Sequence, residues 1–426
     1  LKYHPLPLSL ALALAGAAGA CSDPDPAGPV NITGGAGPGG SVTAGAAAST
    51  SGSGLGGAAS GAAGGGGVGG LGGIGAATAG GGAGGMGGAE NPMPTRLSQT
   101  GLYADITAKT LAPGVHPFEP TYALWSDGAA KKRWVYMPPG GKIQTDANAR
   151  GMEFWVYPKG FKLWKEFSRD GKIIETRLLQ KLSDFVTDWY MVSFKWNEGY
   201  TEAMALPEGE MNALGSMHDI PSQKQCSDCH EAMFDNALGF SALQLTHDDP
   251  NGGMTLAKAV ELGWFNVAPP ATGYALPGTP VEQKALGYLH ANCGMCHNSF
   301  GSVYTTKTSM NLWTELDKLA AADVKKTTAY LSLVCDQWPS VKDNQAPKPV
   351  ECAAGHATGA PMDILDISKA KRIAPKDAAN SSVHHLMSLR IGGADPIQMP
   401  PLGTEMPDTA VGLVDVKAWI DSLPTQ

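Results

Sequence analysis

The chain has 426 residues, a formal net charge of -8, and only 16 % Asp, Glu, Lys and Arg. That length allows two or three domains, and the acidic balance argues against a nucleic-acid partner and offers no basic patch for anionic lipid. Glycine is abundant at 56 residues, most of it in one segment, and the seven cysteines fall into distinct groups.

Residues 1–20 read as an export signal. Lys2 and His4 make a short basic start, and 6–20 is an apolar run of Leu and Ala too short to span a bilayer as a stable helix. The run ends Ala18-Gly19-Ala20-Cys21. It resembles a bacterial lipobox, in which the cysteine is lipidated and becomes the N-terminus, although Ala18 stands where that signal usually has Leu. An ordinary signal peptide cut near Ala20 is the alternative. By resemblance to Gram-negative sorting rules, Ser22 implies the outer membrane. Residues 21–91 then form a linker of Gly, Ala, Ser and Pro with almost no charge or aromatic residue. Such a segment cannot bury enough apolar surface to fold, so a disordered tether is expected. About 70 residues of Gly-rich coil span roughly 45 Å end to end.

A β-rich, sandwich-like domain is expected over 92–220. Arg133 to Met137, Met152 to Tyr157, Lys162 to Ser168, Lys172 to Lys181 and Asp188 to Trp196 are strand candidates bounded by Gly, Pro, Asp and Asn. Tyr190, Val192, Phe194 and Trp196 share one face by the two-residue period. Arg169-Asp170-Gly171 suits a hairpin. The expected form is a small antiparallel sandwich or open barrel. Lys131, Lys132 and Arg133, after Asp127, read as a solvated strand edge. No catalytic constellation stands in this stretch.

Two pentapeptides carry the chemistry: Cys226-Ser227-Asp228-Cys229-His230 and Cys293-Gly294-Met295-Cys296-His297. C-x-x-C-H is the attachment sequence for a c-type haem: the thiols add to the vinyl groups and the imidazole ligates iron. Two copies imply two covalently bound haem c groups. The competing reading is structural zinc, which would gather all four thiols in one cluster. Cys335 and Cys352 remain as a pair and suggest a disulfide in an oxidising compartment, in keeping with export.

The first haem segment, 221–279, is short for a full cytochrome domain, so part of its pocket is expected from a neighbouring module. His230 is the expected proximal ligand. Met217, His218, Met233, His247 and Met254 are all available as the sixth, and spacing does not choose among them. Thr255 to Gly263 reads as a helix with Thr255 as N-cap. The second segment, 280–426, is expected to be mainly α-helical. Val281 to Asn292 reads as a helix carrying Gly287 and Tyr288 into Cys293, and Val411 to Leu423 as another carrying Trp419 and Ile420. Gln398-Met399-Pro400-Pro401 lies between them.

This second segment resembles class I cytochrome c. The resemblance implies that the first and last helices cross closely, with a Gly on one and aromatics on both, and that His297 and Met399 are the axial ligands of the second iron. A thioether is a weak axial ligand that raises the reduction potential, and adjacent prolines stiffen its loop. His384, His385 and Arg390 are candidates for a haem propionate.

A broader resemblance rests on Leu124-Trp125-Ser126-Asp127-Gly128-Ala129, Lys132-Arg133-Trp134, Phe154-Trp155-Val156-Tyr157-Pro158-Lys159-Gly160, Leu163-Trp164-Lys165-Glu166-Phe167, Ile220-Pro221-Ser222, Leu238-Gly239-Phe240 and Gln244-Leu245. These are similar to stretches of a group of bacterial secreted proteins in which a β-rich module precedes C-x-x-C-H motifs. The resemblance covers most of 100–426 and implies the domain order, but no reaction. The expected protein is thus multidomain: a tethered, exported dihaem cytochrome, lipid-anchored through Cys21 or periplasmic, passing electrons to a redox protein partner. The alternative is a haem enzyme, such as a dihaem peroxidase or an oxidoreductase whose β-rich module binds substrate.

Overall fold

A computed structural model describes residues 93–146, 151–270, 272–299, 310–334, 371–390 and 398–424. By its internal contacts the chain divides into Leu1–Gly84 and Gly85–Gln426, and every described residue belongs to the second unit. The segment expected to be an export signal, Cys21, the Gly-rich stretch, Cys335 and Cys352 lie outside the described residues.

Six strands form one antiparallel meander: β3 (Val115–Pro117), β4 (Ala130–Tyr136), β5 (Lys162–Arg169), β6 (Lys172–Lys181), β7 (Trp189–Trp196) and β8 (Ala203–Ala205), in that order. A separate pair, β1 (Tyr103–Asp105) and β2 (Thr110–Leu111), stands beside it. The β-rich expectation holds, and the large sheet takes an open form, with β3 and β8 at its two edges. β5 to β7 follow the predicted strands closely. Asp170 and Gly171, at φ of 52° and 75°, make the β5–β6 turn. Two consecutive left-handed residues suit the right-handed twist of a hairpin.

Met152 to Tyr157 departs from the strand expectation. It holds a 3-10 turn, Gly151–Glu153, and one bridge between Val156 and Gln144. Its aromatics serve packing instead. Tyr157 is buried among Phe161, Trp155, Trp189 and Phe240, and its backbone N–H is taken by the Asp235 carboxylate (2.6 Å).

Both faces of the sheet are covered, so its central strands are buried on both sides. One face packs Trp134, Trp164, Leu178, Val192, Phe194 and Trp196 against Leu97, Leu102 and Tyr103. The other packs Val135, Leu163, Leu179 and Met191 against Phe118, Phe240, Met254 and Cys226. The Cys226 helix, α1 (Gln223–His230), therefore lies over that second face, with Gln223 Nε2 donating to the Met191 carbonyl (2.9 Å).

The basic cluster on β4 is not a solvated edge. β4 is flanked by β3 and β5, Arg133 is 4 % exposed, and Lys131 donates to the Leu124 carbonyl. Only Lys132, pointing to the other face, stays largely in solvent.

The helices after the sheet are α2 (Leu256–Glu261), α3 (Pro280–Asn292), α4 (Leu316–Leu319), α5 (Thr328–Leu333), α6 (Ser382–Ser388) and α7 (Gly412–Ser422). Thr255 caps α2 as expected. α3 starts at Thr279 with a capping box to Glu282 and Pro280 in its first turn, satisfying the free N–H groups there. α3 and α7 pack together through Ala285, Leu286, Tyr288, Leu289, Val416, Trp419 and Ile420. The glycine at that crossing is Gly412: a Cβ there would overlap the Tyr288 ring. Gly287, expected in that role, faces Tyr122 instead.

Candidate functional site

The first motif occupies α1. Ser222 caps it, accepting from Gln225 N–H. Cys226 and Cys229 are three residues apart and share a helix face, and His230 closes the helix. The chain then turns back through Asp235 and Asn236, at φ of 51° and 57°, a conformation that Asp and Asn tolerate best among non-glycine residues. This turn puts the Asn236 carbonyl where it accepts from His230 Nδ1 (2.7 Å). The proton is thereby held on Nδ1, and Nε2 keeps its lone pair, the arrangement of a metal-ligating imidazole with its orienting partner. Burial, then the charge of Lys165, hold His230 down at about 3, so the ring is neutral.

The turn is itself anchored. Asp235 accepts from Tyr157 N–H (2.6 Å), Trp189 Nε1 (2.8 Å) and the ammonium of Lys181. Asp235 and Lys181 are both without side-chain exposure. Burial nonetheless leads, and pushes the Asp235 carboxyl up to about 6.

The second motif follows α3. Cys293 caps the helix, His297 N–H donates to the Cys293 carbonyl (2.9 Å), and Leu312 N–H donates to the His297 carbonyl (2.7 Å). Gly294 is required: a Cβ would stand 2.6 Å from the His290 carbonyl oxygen. Burial, then Arg372, lower His297 to about 4, and its buried Nδ1 has no partner among the described residues. Burial raises all four thiols, Cys226 to about 11 and Cys293 to about 12.

The fold brings the two motifs together. After burial, the charge of Cys229 is what raises Cys296. Met233 Sδ lies 3.9 Å from Asn298 Nδ2. Phe154 stacks on Trp313 (5.8 Å between centroids, 16°) and meets Phe234 edge-on, and Trp313 lies against His290 (4.2 Å). Met295 and Leu238 complete this cluster. No three His, Cys, Asp or Glu side chains converge as a metal group among the described residues, so the four thiols do not form the single cluster that zinc would need.

Met399 is placed from outside the second motif. Its N–H donates to the Leu386 carbonyl (3.0 Å) at the end of α6, and Arg390 donates to its carbonyl (3.3 Å). Arg390 also serves the Met387 and Leu389 carbonyls, so it braces the loop. The same loop is tied to the β-rich part: Asp127 accepts from Glu405 and Met406 N–H (3.0 and 2.9 Å), and Trp125 Nε1 donates to the Met406 carbonyl (2.9 Å). No hydrogen bond joins Met399 to the Cys293–His297 turn among the described residues.

Two of the residues expected as candidates for a sixth ligand are engaged elsewhere. His218 Nε2 meets Glu175 (2.7 Å), and His247 Nε2 donates to the Glu119 carbonyl (2.7 Å). Met233 and Met254 are buried and Met217 is exposed. Sequence reasoning missed Asp235, Asn236, Lys165 and Arg177. Only the Asp-Asn pair carried a local signal, a turn preference; the others depend on strand register.

The residues present fit a covalent haem at each motif: paired free thiols, then a neutral imidazole, with the lone-pair nitrogen of His230 set by its partner. The chain matches no family model, no curated protein and no solved structure.

Proposed function

We propose that this chain is an exported dihaem c-type cytochrome that carries electrons to a redox protein partner, held at a membrane through a lipid on Cys21. The observation that carries the reading is the meeting of two C-x-x-C-H turns around one aromatic cluster. Haem c supplies one-electron exchange at its iron. Cys226 and Cys229, and likewise Cys293 and Cys296, would hold one haem each, with each S–H adding across one vinyl group. His230 and His297 would be the proximal ligands, each neutral and able to offer a lone pair. Asn236 keeps the His230 proton off Nε2. Met399 would close the second iron, on a loop braced by Arg390 and Asp127. Phe154, Phe234, Trp313 and Met295 form an apolar cluster beside the two motifs.

A haem enzyme is the second reading. It draws on the engagement of His218 and His247 away from the first motif, which leaves the sixth position of that iron to weaker candidates. One experiment separates the two: the visible spectrum of the reduced, haem-loaded protein before and after carbon monoxide, with the haem count and intact mass. Two haems and no spectral shift support the carrier. A shift in half the haem moves the reading to an enzyme acting at the haem on His230. A chain with no covalent haem refutes both.

A further inference from the structure

We infer that the sheet face beneath α1 is an anion site built for the two carboxylates of the haem on His230. The inference rests on the haem reading above. Its ground is a row of cations fixed by strand register. Arg133 on β4 pairs with Lys165 on β5, and Lys165 pairs with Arg177 on β6. Lys131 stands two residues along β4, on the same face. Residues directly opposite in an antiparallel sheet have Cβ atoms about 4.5–5.5 Å apart, and like charges there repel. Negative charge facing the row would offset that repulsion.

The chain provides part of that charge. Arg133 pairs with Glu119 (2.5 Å), which is itself 58 % exposed, and Arg177 pairs with Glu175 (2.5 Å), which also meets His218. Lys131 has only the Leu124 carbonyl. Lys165 is 8 % exposed and makes no ion pair among the described residues, and the buried Arg133 Nε has no hydrogen-bond partner among them. Lys131, Arg133, Lys165 and Arg177 thus share this face with the ion-paired carboxylates Glu119 and Glu175, with Asp408 acting on Lys131 and Asp228 beside Cys229. A buried basic side chain without a counter-ion is costly to keep charged in a folded protein. Lys165 and Arg177 are also the cations whose charges act on Cys226, Cys229 and His230; Asp228 on α1 is the acidic group beside Cys229. A haem bonded through those three residues would bring two carboxylates to this face, where Lys165 has no ion pair among the described residues. Guanidinium forks on both sides of the ammonium suit planar carboxylates.

The test uses haem-loaded full chain: wild type, K165Q, K165R and R133Q, with peptide mapping of haem, the visible spectrum with carbon monoxide, and potentiometric titration across pH. Removing a cation beside the carboxylates makes the ferrous state less favourable and the carboxylates harder to ionise. K165Q is expected to keep both haems and the same spectrum, to lower the midpoint of one haem alone, and to move upward the pH at which that midpoint responds to carboxylate ionisation. K165R is expected to restore the wild-type profile, and R133Q to shift it in the direction of K165Q, which keeps a readout should K165Q not accumulate. An unchanged pH response in K165Q and R133Q overturns the inference. So does a new carbon monoxide site in K165Q, which would make Lys165 an iron ligand. Wild-type peptide carrying no haem at Cys226 and Cys229 refutes the underlying reading instead, and mapping separates that failure from the other two.

Discussion

The Asp235–Lys181 pair gives the sharpest test of how the first motif is held. In D235N the amide keeps one acceptor oxygen where the carboxylate offered two. Tyr157 N–H, Trp189 Nε1 and Lys181 then compete for it. Lys181 is left as a buried charge without its counter-ion. Breaking one partner of a fully buried pair costs about 3–5 kcal/mol, whereas replacing both by apolar side chains is often neutral or stabilising. D235N is therefore expected to lose stability in that range, and K181M/D235L to recover most of it. The pH dependence has a fixed sign. The folded carboxyl, raised to about 6 from 3.8, binds its proton more readily than the unfolded one. Protonation of Asp235 by itself thus contributes stability that is fully present below pH 3.8 and lost as pH rises through about 6, so the loss in D235N is read at pH 7, where the wild-type carboxylate is ionised and faces Lys181. Urea unfolding followed by far-UV circular dichroism, from pH 4 to 7, reads all three quantities. A loss under about 1 kcal/mol in D235N would refute the claim that this pair anchors the turn behind His230.

Other outcomes are expected. G412A would gain about 1 kcal/mol from helix propensity in an open site, but the Tyr288 ring blocks the methyl group, so a net loss of about 1–3 kcal/mol is expected from overpacking; a higher urea midpoint would show that α3 and α7 do not cross at this glycine. D127A removes two hydrogen bonds to a carboxylate, each worth about 1.5–3 kcal/mol, and limited proteolysis should cut faster within 398–408; an unchanged cleavage rate would count against the tie between the β-rich part and the Met399 loop. M399A should open one of two irons to carbon monoxide, and no new binding in the reduced spectrum would remove Met399 as a ligand. Burial alone would raise Glu175, but Arg177 and His218 hold it below the ordinary value of 4.5. The unfolded chain then takes up that proton first, so this stability is present above pH 4.5 and lost as pH falls through the folded value. E175Q should flatten that part of the acid limb, and an unaltered acid limb would contradict the assignment.

Much of the local structure was legible in the chain itself. Strand composition bounded by turn residues marks β5 and β6, alternation at Tyr190, Val192, Phe194 and Trp196 marks β7, Asp170-Gly171 marks the β5–β6 turn, and the start of α3 near Pro280 is legible too, because each depends on residues within a few positions of one another. The C-x-x-C-H chemistry is legible for the same reason: five consecutive residues carry it. Where longer-range partners decide, the local reading fell short. Phe154, Trp155 and Tyr157 have strand-like composition, yet Asp235 and an aromatic cluster claim them. Lys131 and Arg133 look like a solvated edge until β3 and β5 cover β4. Gly412 takes the place at the helix crossing expected of Gly287, since only the packed helices decide which glycine meets a ring.

By itself the sequence pointed to the atoms of the proposed haem sites: four thiols, two imidazoles and a thioether in recognisable spacing. Tertiary structure alone decided how they are held. It set the two motifs against each other, turned Asn236 back onto His230, and aligned Arg133, Lys165 and Arg177 in one row under α1. The physical reason is sequence separation. Bond geometry and helix or strand period relate neighbours, whereas strand register and the burial of charge relate residues far apart in the chain, and those terms exist only once the core has closed.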